Sequence, residues 1–261
     1  MNEQSPNMSR DRRQEVILTE LDARGECAVA ELATRFGVTG MTIRRDLQAL
    51  ADAGRVIRTH GGAAPTARVS FEFRFLEHAG QQRQAKEAIA LKAGELVQPG
   101  QSVLLDSGTT TLAVARRLRG KAGLTVITTS LPIASELYGH EGVNLLLLGG
   151  LLRHDSPDLT GAMTEGNLDS LHADVAFLGA DGIDPAGNVY NRTTALARML
   201  ARMADAADRV YVVADYSKLG KKALMRFGNL NQWDGLVTDR GADESLLAEL
   251  KRSGVHVIGT A

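Results

Sequence analysis

The chain has 261 residues, 44% of them hydrophobic, with 30 Lys and Arg against 31 Asp and Glu for a formal net charge of -1. That length exceeds one average core, so two domains are expected, and near-neutrality excludes a uniformly basic surface, so any nucleic-acid site has to be local. No apolar run reaches the ~20 residues of a bilayer crossing, the start MNEQSPNMSRDRRQE lacks a signal-peptide core, and the single Cys27 cannot form an internal disulfide; together these predict a cytoplasmic protein with no membrane partner.

In chain order, a polar tail of about seven residues precedes Ser9 to Arg24, which carries Val16, Ile17 and Leu21 at helical spacing and is stopped by Gly25. A second short helix, VAELATRFG, places Leu32, Ala33 and Phe36 on one face and ends at Gly37. Thr39 stands where an N-cap belongs, a third helix runs to about Ala53 with Gly54 after it, and RVIRTHGG follows as a hairpin. Three short helices and a hairpin make a winged helix-turn-helix over residues 8–65. Residues 66–84 read as a linker whose FEFRF run docks between domains or subunits. Residues 85–261 then alternate helical stretches with the runs SVLLD, LTVITTS, NLLLLGG, DVAFLGA, RVYVVAD, GLVTD and VHVIG. Such runs are apolar on both faces, which predicts an α/β fold: a mostly parallel sheet covered by helices on both sides, with ligands outside the carboxyl ends of its strands.

The six histidines, His60, His78, His140, His154, His172 and His256, include no pair at the i, i+4 spacing of a helical metal site, so neither a metal nor a cofactor is expected. Cys27, between the first two helices, reads as a buried apolar residue.

On a wheel of about 100° per residue, Ile43, Leu47 and Leu50 form one stripe of the third helix, and Met41, Arg44, Arg45 and Gln48 lie opposite. Thr39 and Thr42 flank the start of that polar side, and the hairpin adds Arg55, Arg58 and His60. DNA phosphates attract such a patch, and an arginine fork can also read guanine O6 and N7, so double-stranded operator DNA is the expected partner. The alternative is a solvated helix face on which Arg44 or Arg45 pairs locally with Asp46 or Gln48. The cap, the preceding helix and the wing favour DNA.

In the second domain, SVLLDSGTTT ends a strand at Asp106 and opens a helix, so backbone amides around Gly108 and the hydroxyls of Ser107, Thr109, Thr110 and Thr111 offer donors to a phosphate or carboxylate. The other reading is a plain strand-to-helix turn capped by Asp106 or Ser107. Neither a P-loop nor a GxGxxG motif is present. ITTSLPIA brings Thr128, Thr129 and Ser130 to another strand end, FLGADGID brings Gly179, Asp181 and Gly182, and VYVVADYSKLG brings Lys218. Hydroxyls and a cation at one sheet edge suit a sugar phosphate; the glycines equally suit a tight turn, and Lys218 a solvated loop.

VTGMTIRRDLQALADAGRVIRTHGGA, with DSGTTT, ITTSLPIA, LLGGLLR, FLGADGID, ADYSKLGKKAL and VTD, resembles the DeoR family of bacterial transcription regulators through nearly the whole chain. The resemblance implies a sensor domain related in fold to ribose-5-phosphate isomerase, a repressor relieved by a phosphorylated sugar, and Lys218 among the effector ligands. Many relatives carry an acidic pair where this chain has Ala195 and Leu196; Asn191, Arg192 or Thr193 stand nearby as substitutes. Operator binding by one small module predicts a homo-oligomer, a dimer or tetramer. The principal alternative is an isomerase-like enzyme with an accessory DNA-binding module, using Asp106 or Asp181 as base. A third is a DNA-binding protein whose α/β half only oligomerises.

Overall fold

A computed structural model of the chain describes residues 8–53, 55–65, 81–153 and 156–260. The expected tail, most of the expected linker with its FEFRF run, and Gly54 lie outside the described residues. The chain divides into two compact units, Met1–Arg74 and Phe75–Ala261.

In the first unit, helix α1 (Arg10–Arg24) is capped by the Ser9 side chain and closes on Gly25 in the left-handed conformation. Strand β1 (Cys27–Ala28) leads into α2 (Val29–Phe36), which also ends on a left-handed glycine, Gly37. Thr39 caps α3 (Gly40–Asp52) by accepting from the Thr42 N–H. Strands β2 (Val56–Thr59) and β3 (Gly62–Pro65) form the wing. The sequence reading misses β1, which pairs with β3 and makes the wing a three-stranded sheet. Two residues are too few for a periodic signal, but the glycines carry one: a Cβ on Gly62 would stand 2.2 Å from the Cys27 carbonyl oxygen. Ile17, Leu21, Leu32, Ile43, Leu47, Val56 and the buried Cys27 form the core of this unit. Burial, foremost, pushes the Cys27 thiol above the ordinary cysteine value.

The second unit is built on seven strands in the order β15-β14-β12-β9-β4-β5-β6, every adjacent pair parallel. These are β4 (Ser102–Leu105), β5 (Leu124–Thr128), β6 (Val143–Leu147), β9 (Ala173–Leu178), β12 (Ala207–Val213), β14 (Gly235–Thr238) and β15 (Val257–Gly259), one from each of the seven apolar runs. Alternation along each strand divides the core in two. Val103, Leu105, Val126, Phe177 and Val213 face helices Arg83–Glu95, Thr109–Leu118 and Leu131–Leu137. Leu104, Ile127, Ala176, Leu178 and Val212 face helices Ala162–Leu168, Thr194–Asp205 and Glu244–Arg252. Two small antiparallel additions complete the unit: the ribbon β7 (Leu151–Leu152) with β8 (Leu159–Thr160), and a sheet of β10 (Gly182–Ile183), β11 (Asn188–Asn191) and β13 (Met225–Asn229).

The expectation that every apolar strand is covered on both faces fails at β6. It is an edge strand, and Leu146 and Leu147 both remain exposed. An apolar run in the sequence does not by itself report whether helices of the same chain cover it.

A buried charge pair joins α1 to α3. The Arg13 Nε donates to Asp46 Oδ2 at 2.6 Å and Arg10 Nε stands 3.6 Å from Oδ1, with the Asp46 side chain only 2% exposed. Removing one partner leaves the other charge without compensation in the core, at a cost of about 3 to 5 kcal/mol. Asp46→Ala should therefore lose that much stability in the first unit. Hydrogen exchange of the α1 and α3 amides in the full-length chain measures it, and unchanged protection would refute it.

Candidate functional site

Two places collect the expected residues, one in each unit. On α3 the helical period sends Ile43, Asp46, Leu47 and Leu50 inward and leaves Met41, Arg44, Arg45 and Gln48 exposed. The local pairing that would silence this face does not occur: Asp46 turns to α1, and neither Arg44 nor Arg45 makes an ion pair or side-chain hydrogen bond among the described residues. Two uncommitted guanidinium groups thus stand on the first turns of a capped helix.

Other members of the expected DNA face have structural duties. Thr39 and Thr42 share a side-chain contact at 3.0 Å as part of the cap. Arg58 donates to Gln48 Oε1 at 2.9 Å, and Gln48 donates to Asp52 Oδ1 at 2.8 Å, tying the wing to α3. His60 is exposed at the wing turn. Arg55 departs from the expected grouping, since it borders an open groove with Arg12, Glu15, Val16, Leu18 and Thr19 of α1.

In the second unit, β4 delivers Asp106 to the carboxyl edge of the sheet. Its carboxylate is buried and fully engaged: Oδ1 accepts from the Gly108 N–H at 2.7 Å and the Thr111 hydroxyl at 2.9 Å, and Oδ2 from the Gly179 N–H at 2.6 Å. The turn is therefore stapled to the end of β9. Asp106 shapes the site and offers a ligand no free oxygen.

Helix Thr109–Leu118 then begins with no side-chain cap, and its first internal bond runs from the Leu112 N–H to the Gly108 carbonyl. The N–H groups of Thr109, Thr110 and Thr111 accordingly open outward with the positive end of the helix dipole, beside the hydroxyls of Thr109 and Thr110, which have no partner among the described residues. A helix start of this kind can cradle an anion mainly through its backbone.

Several hydroxyls expected to face a ligand hold the turn instead. Thr111 donates to the Asp106 carboxylate, Thr128 donates to the Leu105 carbonyl at 2.8 Å, and Ser130 accepts from the Ile133 N–H at the start of the next helix. Thr129 is buried with its carbonyl bonded to Leu159. Gly179 donates to Asp106, and Gly182 lies against the Lys221 carbonyl, where a Cβ would come within 2.6 Å. Asp181 accepts from the Arg192 N–H and pairs with its guanidinium at 3.3 Å. Of the suggested substitutes for the missing acidic pair, Asn191 accepts from Thr193, Thr193 caps the helix bearing Ala195 and Leu196, and Arg192 is paired with Asp181.

The structure adds residues that sequence reasoning missed. Lys86, in the first turn of helix Arg83–Glu95, is buried; burial, foremost, lowers its pKa, with Asp215 opposing and the like charge of Lys218 adding to the effect. Lys86, Lys218 and Asp215 therefore share one electrostatic neighbourhood at the end of β12, two strands from the cradle. On the other side, the Ser107 hydroxyl donates to Asp158 Oδ2 at 2.9 Å, and Arg153 stands 3.5 Å from the same oxygen. A lysine on an amphipathic helix carries no signal of its own, and Asp158 lies 51 positions from Ser107.

The description of the DeoR-like helix-turn-helix domain matches residues 13–68, and that of the DeoR C-terminal sensor domain matches residues 81–240. A protein of Escherichia coli O157:H7 named for repression of an aga operon is 35% identical over 94% of this chain and 92% of its own. The glycerol-3-phosphate regulon repressor of Escherichia coli K12 is 30% identical over 93% of this chain and 96% of its own. Ribose 5-phosphate isomerase A from Methanocaldococcus jannaschii superposes over 53% of this chain and 55% of its own with 20% identity and a TM-score of 0.41, a likeness too slight to carry functional weight.

The Asp106 staple has a pH signature. Burial raises its carboxyl above the ordinary range, and the charge of Asp158 adds to this against the hydrogen bonds from Gly179, Gly108 and Thr111. The folded state thus holds this proton more tightly, so the contribution is fully present below the unfolded value of about 4 and is lost as pH rises through the folded value. Asp106→Asn should flatten the stability profile over that window. It should also lower stability by about 1 to 3 kcal/mol, because an amide cannot accept from all three donors. Denaturant titrations at stepped pH compare the two proteins, and parallel profiles would refute the assignment.

Proposed function

The chain belongs to the DeoR family of transcriptional regulators, and from that premise we propose that it is a repressor of carbohydrate-metabolism genes, acting on operator DNA in the cytoplasm and released by a phosphorylated sugar. The observation that carries the DNA half is the pair of uncommitted guanidinium groups, Arg44 and Arg45, on a helix whose neighbouring acid is buried elsewhere. Arg45 and Arg44 read base edges in the major groove, and Arg58 and His60 of the wing meet phosphates. One such module contacts few phosphates, so tight binding uses at least a dimer on paired half-sites.

The uncapped start of helix Thr109–Leu118 supports the effector half. A phosphate held by the Thr109–Thr111 amides and the Thr110 hydroxyl gains countercharge from Lys86 and Lys218 at the neighbouring strand ends. No second reading is favoured. An isomerase needs a carboxylate free to act as base, and the two expected candidates are engaged, Asp106 by three donors and Asp181 by Arg192.

Two outcomes test this reading. Arg45→Ala should weaken operator binding by about 1 to 3 kcal/mol and relax sequence preference at one position, while Arg58→Ala lowers affinity for all sequences and flattens the salt dependence. Quantitative footprinting distinguishes them; undiminished affinity and preference in Arg45→Ala would refute the docking. Thr110→Ala and Lys218→Ala should leave ligand-free operator affinity unchanged and demand far more sugar phosphate for release, within a coupling of about 1 to 3 kcal/mol. Operator titrations against a panel of sugars with and without phosphate read this, and wild-type responses in both variants would move the effector elsewhere.

A further inference from the structure

The geometry points to the open edge of the seven-stranded sheet as the face on which two copies of this chain join. Strand β6 hydrogen-bonds β5 on one side only, so its other side presents a row of backbone donors and acceptors with no strand beside them among the described residues. Around that row, Leu146 and Leu147 are exposed, the ribbon contributes Leu151 at 75% and Leu152 at 47% exposure, and Met163 stands at 69%.

Glycines bring the ribbon, the start of helix Ala162–Leu168 and the segment after β6 together. The Met163 sulfur is 3.9 Å from where a Cβ would stand on Gly149, and Leu151 lies 4.0 Å from the same point on Gly161. With Leu131, held beside Pro157 by its N–H, they offer on the order of 600 Å² of apolar surface, at the upper end of what a monomer leaves uncovered and close to the ~800 Å² per partner of a standard interface.

Charge identifies the occupant. Residues 142–152 contain no Asp, Glu, Lys, Arg or His, nor do residues 122–135. A two-fold contact brings each group near its own copy, so a charged residue there meets its like, and an uncharged edge is what a self-complementary surface requires. An open parallel edge with leucines on both faces is otherwise an aggregation hazard, and nothing along β6 blunts it: no lysine, proline or bulge. A second β6 running antiparallel satisfies the backbone row and covers the leucines together. The inference stands on this surface and not on the regulatory reading; a chain that dimerised here and ignored sugar phosphates would leave it intact.

Sedimentation velocity of the full-length chain across a concentration series tests it. Wild type should associate at micromolar concentration; Leu151→Lys with Met163→Lys should weaken that association at least 100-fold, while Leu91→Lys, on an exposed leucine of another helix, leaves it unchanged. Mixing the lysine double variant with the corresponding glutamate variant should restore a mixed dimer. Hydrogen exchange of the wild type needs no substitution: amides of residues 143–152 should gain protection as concentration rises. A wild type that stays monomeric, variants that assemble like wild type, or exchange at β6 that ignores concentration would each overturn the proposal.

Discussion

A parallel sheet carries the carboxyl end of every strand to one edge, and in this chain a single buried carboxylate organises that edge. Asp106 accepts from Gly108, Thr111 and Gly179 at once, binding the turn after β4 to the end of β9. Because these donors are drawn inward, the amides one step further along the chain, Thr109 to Thr111, are left facing out with no cap. The same interaction therefore closes the core and opens the cradle. A side-chain cap at Gly108 would have filled the site with the protein's own acceptor.

The first unit uses a buried acid to the same effect. Asp46 stands next to Arg45 in sequence but on the inner face of α3, where Arg13 and Arg10 neutralise it. Its charge is removed from the surface, and the two arginines beside it keep theirs. A chain whose charges nearly cancel overall thereby presents two adjacent uncompensated arginines on one helix face, a local positive field that attracts a polyanion. The wing is held to that face through Arg58, Gln48 and Asp52, so part of its basic character contributes to rigidity as well as to charge.

Cradle and open edge are joined covalently and by hydrogen bonds. Ser107 bonds to Asp158, Asp158 pairs with Arg153, and these two residues bound the connection between the strands of the ribbon that bears Leu151 and Leu152. Ser130, at the end of β5, bridges to Asp158 as well. Ser107 is thus linked to the ribbon through two contacts.

Periodicity and capping chemistry are local, and what they control was legible in the sequence: the three amino-terminal helices with Gly25, Gly37 and Thr39 at their ends, the exposed side of α3, and all seven strands of the parallel sheet, whose two-sided apolar runs admit few other structures. Strand-end motifs likewise marked the turn after β4 and the uncapped helix start beside it. Which groups at those ends remain free was decided by contacts distant in the chain. Gly179, 73 positions from Asp106, engages its carboxylate; Asp158 takes up Ser107; Lys86 arrives from a helix with no motif of its own; and Arg55 turns toward α1. A hydroxyl or a carboxylate looks the same in sequence whether it faces a ligand or the backbone, because a hydrogen bond is settled by distance and direction in the folded chain. The leucines of β6 make the same point for burial: their spelling matches that of a central strand, and only the strand order puts them at an edge.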